Sequence, residues 1–470
     1  MSNTPIELGQ VYYTAEWIIR LAMLAVVPFR RTPAATRSWL LLIFFLPVLG
    51  LLLFLAIGTP RFPSWRTERF ARLQPFFLEL SGRLQRAAPV EQHAACDVIG
   101  LAQRLGLFPA VGGNTVELLD DYDRVIDTLV ADIDRACAHV RILVYIFADD
   151  DTGLRVISAL ERAVKRNVVC HVLLDPVGSG RWTKDVLARL GEAGVHARAT
   201  LPFRLLRART RRDMRNHRKL FSIDGKVAYA GSQNIVAKDF RPGVTNRELV
   251  ARVTGPVVAA IDALFLADWY METEELLDAA PLPSPISGTS QVQVLPSGAD
   301  YRHEGFLTLL TWQVHQATGQ VVIVTPYLIP DEGLLAAMAT AVLRGVEVHI
   351  VVSRIADQKL VSLAQASYYE ELLSQGVHIH RYPHYLLHAK SIRIDDRLGI
   401  IGSSNVDIRS FQLNEEISLL LLDGPTIASL KSVQDEYIGA SGELRLEDWR
   451  QRHWLRKFAE NGARLISPLL

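Results

Sequence analysis

The chain has little with which to build a disulfide framework or a structural metal site. Its 470 residues include three cysteines, Cys96, Cys137 and Cys170. None stands in a C-x-x-C pair and the number is odd, so buried free thiols are the expectation. A surplus of one charge is also missing. With 51 basic and 50 acidic side chains, net charge selects neither nucleic acid nor an acidic surface as a partner. No dense cluster of carboxylates is present to hold a divalent cation. No basic stretch precedes Glu7, and the more apolar of two N-terminal runs comes too late for a cleaved signal peptide.

Those two runs are the first positive feature. Trp39 to Ile57 carries no charge and is long enough for the ~30 Å hydrocarbon core of a bilayer; Pro47 and Gly50 are both tolerated in such helices. Val11 to Phe29 is apolar apart from Glu16 and Arg20, spaced to pair on one helix face. A transmembrane helical hairpin over residues 1–60 is expected, with a helix lying in the interface as the alternative for the first leg. Arg30, Arg31 and Arg37 fall between the runs and Arg61, Arg66, Arg69 and Arg72 after them. The positive-inside rule therefore pulls both ways, and a multi-pass protein with a cytoplasmic catalytic domain is the reading taken. Over 61–112 a juxtamembrane helical segment follows, with Phe70, Leu73, Phe77, Leu80 and Leu84 at helical spacing. Its arginines would lie on anionic lipid, or its apolar stripe would pack on the soluble domain.

After Gly112-Gly113-Asn114 the pattern alternates between strand and helix. Val140–Phe147, Val168–Leu174, Val321–Thr325 and Val346–Val352 read as strands. Thr152–Arg166, Lys184–Ala193, Glu332–Arg344 and Val361–Gln375 read as helices. This is an α/β chain with a largely parallel sheet covered by helices. A Pro, Ser and Gly-rich linker at 279–290 separates residues 113–278 from 291–470, and the halves repeat each other.

The repeat includes one unusual string. His217-Arg-Lys219-Leu-Phe-Ser-Ile-Asp224 reads H-x-K-x₄-D, and so does His388-Ala-Lys390-Ser-Ile-Arg-Ile-Asp395. Each copy is followed by a small-residue turn, Gly231-Ser232-Gln-Asn234 and Gly402-Ser403-Ser-Asn405, and then by a carboxylate, Glu248 and Glu416. In an extended strand the histidine and lysine share a face, while the aspartate falls opposite, at a hairpin turn, where it braces the motif. Small residues at the turn let a substrate approach the backbone, and Asn234 and Asn405 can donate to phosphate oxygens. Two lysines supply charge where a phosphorane would build up its own. One imidazole can attack phosphorus while the other protonates the leaving alkoxide. These roles call for one neutral and one protonated imidazole near neutral pH. Glu248 and Glu416 are candidates to orient an imidazole through its far nitrogen. The set needs no metal and no other cofactor. A basic stretch at 204–219, with Arg204, Arg207, Arg209, Arg211, Arg212, Arg215, Arg218 and Lys219 against Asp213 alone, reads either as a cationic lip for lipid headgroups or as a solvated loop.

These residues resemble the phospholipase D superfamily, whose hallmark is the duplicated H-x-K-x₄-D with G-S/G-x-N. Within it the chain is similar to bacterial cardiolipin synthases over nearly its whole length. Asn216-His-Arg-Lys-Leu220, Asp268-Trp-Tyr-Met-Glu272, Thr325-Pro-Tyr-Leu-Ile-Pro-Asp331 and Gly402 to Phe411 carry the likeness. The resemblance implies two pseudo-symmetric phospholipase D-like lobes, each a mixed sheet flanked by helices, behind the membrane hairpin. It implies His217, Lys219, Asp224, His388, Lys390 and Asp395 as catalytic residues, with Ser232, Asn234, Ser403, Asn405, Glu248 and Glu416 around the substrate. It implies transfer of a phosphatidyl group between two phosphatidylglycerols in the bacterial inner membrane, through a phosphatidyl-histidine on His217 with His388 as general acid. Hydrolysis, another alcohol acceptor, or a non-catalytic lipid-binding adaptor are the alternatives. A nucleic-acid partner is not expected.

Overall fold

A computed structural model describes residues 8–59, 62–90, 96–202, 213–277, 282–301 and 303–467. The arginines of the basic stretch between 203 and 212, Arg61, and part of the linker lie outside these residues. The protein is a mixed α/β fold built on one continuous sheet of 15 strands. From the centre outward on one side run Ala110–Leu119, Val250–Thr254, Val227–Gly231, Leu220–Ile223, His139–Val144, Val169–Leu174 and His196–Ala199. On the other side run Ser290–Ser297, Glu416–Leu421, Leu398–Gly402, Ser391–Ile394, Gln320–Val324, Glu347–Ser353 and His378–Tyr382, with Gly442–Glu443 at the edge. The two runs match strand for strand in order and sense. The outer three of each pair in parallel, and the inner ones are antiparallel. The sheet is therefore mixed and not largely parallel. Helix–strand alternation in the sequence marks only the outer βαβ units, which require crossover helices.

The strands and helices named from the sequence lie within a few residues of their observed positions: Asp151–Lys165, Thr183–Glu192, Glu332–Leu343 and Lys359–Ser374 are the helices. Among the described thiols, Cys170 is buried whereas Cys137 is exposed, because Cys137 lies in the loop that leads into His139–Val144.

The N-terminus departs most from expectation. The run with two charges provides the one described helix long and apolar enough to cross a membrane, Gly9–Phe29; its regular part is α1, Leu8–Val26. The uncharged run is broken into α2, Pro33–Phe45, and α3, Pro47–Ile57. Pro47 has no N–H and its ring bars Leu46 from helical geometry; Leu46 sits at φ −132°, ψ 71°. α2 and α3 then fold back on each other. The Trp39 and Phe54 rings meet edge to face at 5.2 Å, where a straight helix at ~1.5 Å per residue would separate them by about 22 Å. Gly50 lies where the two helices touch, and a Cβ there would come within 2.8 Å of the Ile43 Cα.

The helices expected beside the membrane, α4, Ser64–Arg72, α5, Gln74–Ala87, and α6, Cys96–Gly106, join the α/β body. Phe77, Leu80 and Leu84 are buried in its largest apolar core. Arg66, a candidate for lipid contact, is 0% exposed. Its guanidinium is clamped between Asp300 at 2.9 Å and Glu272 at 3.1 Å. Removing one partner of a buried ion network costs about 3–5 kcal/mol because the other charges stay buried. Arg66→Met is therefore expected to lower the thermal unfolding midpoint of the detergent-solubilised protein by many degrees. Arg83→Met, which breaks only the exposed pair with Glu79, should cost about 0.5 kcal/mol or less.

Candidate functional site

Both H-x-K strings form extended segments that lead into the inner strands Leu220–Ile223 and Ser391–Ile394. Each continues through a three-residue turn, 224–226 and 395–397, and returns antiparallel. The turn places Asp224 and Asp395 at φ 52° and 50°, a left-handed geometry that aspartate tolerates better than most residues. Their carboxylates face away from the histidines. Asp224 accepts the backbone N–H groups of Cys137, Ala138 and His139 at 2.9, 2.7 and 2.9 Å. Asp395 accepts those of Thr318, Gly319 and Gln320. Each aspartate thus ties its hairpin to the start of the neighbouring strand.

The histidines come together through a crossed arrangement. His217 Nδ1 lies 2.9 Å from Glu416 Oε1 and 3.1 Å from Oε2. His388 Nδ1 lies 2.8 and 2.9 Å from the two oxygens of Glu248. Each imidazole is held by the carboxylate of the other half. The backbone enforces the same crossing. His217 N–H donates to the Glu415 carbonyl at 2.9 Å, and His388 N–H to the Arg247 carbonyl at 2.8 Å. In both cases the acceptor is the residue just before the glutamate that holds the ring. A short parallel ladder, Leu386–Leu387 with Asn246–Arg247, completes one of these seams.

Around this pairing the remaining polar groups are committed. Ser403 Oγ donates to Glu416, as does Ser410 Oγ at 2.9 Å. Ser232 Oγ exchanges bonds with the Leu249 carbonyl and N–H at 3.1 and 2.9 Å. Lys219 and Lys390 each donate to the carbonyl of their own histidine, at 2.7 and 2.6 Å. Asn234 Oδ1 accepts the Ile146 N–H at 3.0 Å. Asn405 accepts nothing through its buried Oδ1, and its backbone N–H donates to Ser410 Oγ at 3.2 Å. Gly231 and Gly402 are needed for a different reason than substrate approach, since a Cβ at either would strike the Leu249 or Ile417 carbonyl of the adjacent strand.

Burial sets the electrostatics. It pushes both His217 and His388 down to about 4, against the upward pull of their carboxylates and with a further push from the lysines. Both rings are pushed the same way, so these groups by themselves do not mark one imidazole as the protonated one. Burial likewise pushes Lys219 to about 7 and Lys390 to about 8. Burial alone would raise Glu248 and Glu416, but the paired histidines, lysines and serine hydroxyls outweigh it and hold both below the usual carboxylate range.

Sequence reasoning missed the floor beneath these groups. Arg218, between His217 and Lys219, is buried, not part of a cationic lip. It makes two 2.7 Å bonds to Asp268, one of 2.8 Å to Glu415 and one to the Glu416 carbonyl. Arg215 is buried against Asp175 at 2.9 Å. Asp268 and Glu272, four apart on the helix Val258–Thr273, are the anionic partners of Arg218 and Arg66, a spacing visible in the sequence. Tyr145 and Tyr327 stand at equivalent strand ends, which the sequence leaves open between packing and the site; the Tyr145 ring lies 4.7 Å from that of His217 and 5.3 Å from Lys219 Nζ. Tyr327 instead donates to Asp357 at 2.7 Å. Among the described residues, no three His, Cys, Asp or Glu side chains are grouped to hold a metal ion.

Comparison with known proteins places this geometry in a family. A family model described as cardiolipin synthase, PLD-like domain, matches residues 129–269 and 310–436, which contain both strings. A cardiolipin synthase A of Pectobacterium carotovorum subsp. carotovorum (strain PC1) is 33% identical over 456 residues, 94% of each chain. One from Erwinia tasmaniensis is similar to the same extent, 33% over 456 residues and 94% of each chain. Among solved structures, a phosphatidylserine synthase of Haemophilus influenzae Rd KW20 superposes with a TM-score of 0.59 over 81% of this chain and 100% of that one, at 14% identity, a likeness of fold. With both domain matches and near full-length similarity, the chain belongs to the cardiolipin synthase family of phospholipase D-like phosphatidyltransferases.

Proposed function

We propose that this protein transfers the phosphatidyl group of one phosphatidylglycerol to the headgroup hydroxyl of another, giving cardiolipin and glycerol. The observation that carries the reading is the crossed pairing of His217 with Glu416 and His388 with Glu248. With each Nδ1 committed to a carboxylate, each ring presents Nε2 for chemistry. His217 Nε2 attacks phosphorus, the bond from phosphorus to the glycerol oxygen breaks, and His388 delivers a proton to that oxygen. His388 then takes the proton from the hydroxyl of the second phosphatidylglycerol, whose oxygen attacks phosphorus and displaces His217. The diester's own negative charge, arriving beside the second imidazole, favours the proton that the first step requires. Lys219 and Lys390 offset the charge of the phosphorane, and Ser403 and Ser410 steady Glu416 beneath His217.

The division into pseudo-symmetric lobes at 113–278 and 291–470, with a linker at 279–290, is supported by the repeated strand order. The membrane segment at 1–60 and the juxtamembrane helices at 61–112 precede them. The seat is the bacterial inner membrane, with the catalytic body on the cytoplasmic side. A multi-pass anchor would need Trp39–Ile57 to cross as one straight helix, and its fold-back leaves one described helix of spanning length.

Product analysis in phosphatidylglycerol vesicles is the direct test. Cardiolipin and glycerol are expected in equal amounts, whereas phosphatidic acid alone would make the enzyme a hydrolase. The two histidines should separate when the leaving group no longer needs a proton. With a phosphatidyl ester of p-nitrophenol, His388→Ala and Glu248→Gln should still release nitrophenol in a burst. His217→Ala and Glu416→Gln should stay impaired by roughly 10²–10⁴-fold. Nitrophenol release that survives in His217→Ala would reverse the assignment.

The pH profile follows from the same groups. Below about 4 the imidazoles take up protons and His217 loses its attacking lone pair. As pH rises through about 7 to 8, Lys219 and Lys390 lose theirs and cationic stabilisation is withdrawn. A bell-shaped kcat is expected, since it reports the complex in which the bound diester keeps the proton on His388, and Lys390→Met should lower its plateau by roughly 10²-fold. A profile flat from pH 6 to 9 would remove the lysines from the reaction.

A further inference from the structure

The fold-back of α2 and α3 decides how the chain meets the bilayer. α2 has 13 residues and α3 has 11, or about 20 and 16 Å, roughly half to two thirds of the ~30 Å hydrocarbon core. Both ends of the pair are fastened to the catalytic body. At the start of α2, Arg37 Nη2 lies 2.8 Å from Glu332 Oε1, and Ser38 Oγ donates to the Leu465 carbonyl at 2.8 Å. Beyond α3, α4 is locked into the same body through Arg66. A straight second span would put residues 33–38 across the membrane from 64–72, where these contacts could not form.

The tip of the pair is suited to hydrocarbon. Phe45 is 77% exposed, and Phe44, Leu46, Val48, Leu49, Leu52 and Leu55 also face outward. Its weak point is the backbone. Phe44 stands at the end of α2, where the last carbonyls have no donor within the helix, and Pro47 contributes no N–H. Hydrocarbon makes such gaps costly. Arg20 of α1 fills one of them, its Nε donating to the Phe44 carbonyl at 3.1 Å while Nη2 contacts Glu16 at 3.2 Å. The two charges inside the apolar helix α1 thus have a use: the glutamate neutralises the arginine, and the arginine closes the turn.

We propose that the chain crosses the membrane once, through α1, and that α2 and α3 form a re-entrant wedge among the acyl chains of the one leaflet facing the catalytic body. The C-terminal helix Trp454–Ile466, joined to α2 through Ser38 and Leu465, carries exposed Trp454, Leu455, Phe458 and Leu465, as an interfacial helix would. The wedge also reconciles the arginines. Arg30, Arg31 and Arg37 fall on the same side as Arg69 and Arg72, so both groups satisfy the positive-inside rule with that side cytoplasmic.

Sidedness is measurable without reference to the reaction. In a chain with its three cysteines replaced by serine, single cysteines at the exposed positions Gln10, Arg30 and Glu68 are treated with a membrane-impermeant maleimide. Sealed right-side-out and inverted inner-membrane vesicles are compared. Arg30→Cys and Glu68→Cys are expected to react in inverted vesicles only, and Gln10→Cys in right-side-out vesicles only. Reaction of Arg30→Cys from the face opposite Glu68→Cys overturns the wedge, and reaction of all three from one face overturns the single crossing. If the serine background fails to fold, trypsin on the unaltered chain answers the same question. Cleavage near both Arg30–Arg31 and Arg69–Arg72 from the outside of inverted vesicles is expected, and cleavage of the two groups from opposite faces refutes the proposal.

Discussion

The burial of Glu248 and Glu416 is the constraint on which the rest of the molecule depends. Both carboxylates are almost wholly withdrawn from water, which is tolerable only if each finds a partner that returns the lost solvation. Ser403 and Ser410 give Glu416 hydroxyl donors from its own half, but neither carboxylate finds its imidazole there. The partner is the histidine across the seam, so the central antiparallel pairing of Ala110–Leu119 with Ser290–Ser297 serves more than cohesion. It brings each carboxylate within hydrogen-bond distance of the opposite ring. The serine hydroxyls around Glu416 and the aspartate-pinned hairpins hold the two pairs in place.

Beneath this layer lies a second one, of buried basic and acidic side chains. Arg66, Asp300, Glu415, Arg218 and Asp268 form a chain of contacts from the first juxtamembrane helix to the peptide between His217 and Lys219. Burial and the nearby Asp300 hold the Glu415 carboxyl well above its usual range, at about 8, while Arg218 and Arg66 pull it down. The helix that follows the apolar N-terminal segment is therefore a structural part of the floor beneath the two histidines. Its arginines were read from the sequence as candidates for lipid; Arg66 instead answers to carboxylates supplied by Glu272 and Asp300.

Much of this was legible before any coordinates, and the boundary is informative. The duplicated string stood out because two copies with matched downstream residues exceed chance, and strand parity anticipated that Asp224 and Asp395 would turn away from the histidines. The outer βαβ units were readable because crossovers force alternation of strand and helix periods. The crossing of Glu416 onto His217 was not readable, because a repeat does not reveal which copy serves which. Arg218 was hidden by its neighbours: in a run of arginines a buried one looks like an exposed one. The N-terminus misled for a similar reason. Hydropathy measures length and composition, and a fold-back at Leu46–Pro47 changes neither.

The crossed seam also orders events in time. The first half leaves the ribosome with His217, Lys219 and Glu248 already in the chain, yet the carboxylate that holds His217 arrives only with Glu416, near the end of synthesis. Until then the imidazole lacks the carboxylate that holds its Nδ1 in the finished fold. On the proposed reaction, a nascent chain with only its first half made lacks the carboxylate that holds its nucleophile, and the last strand of the inner sheet, Glu416–Leu421, supplies it.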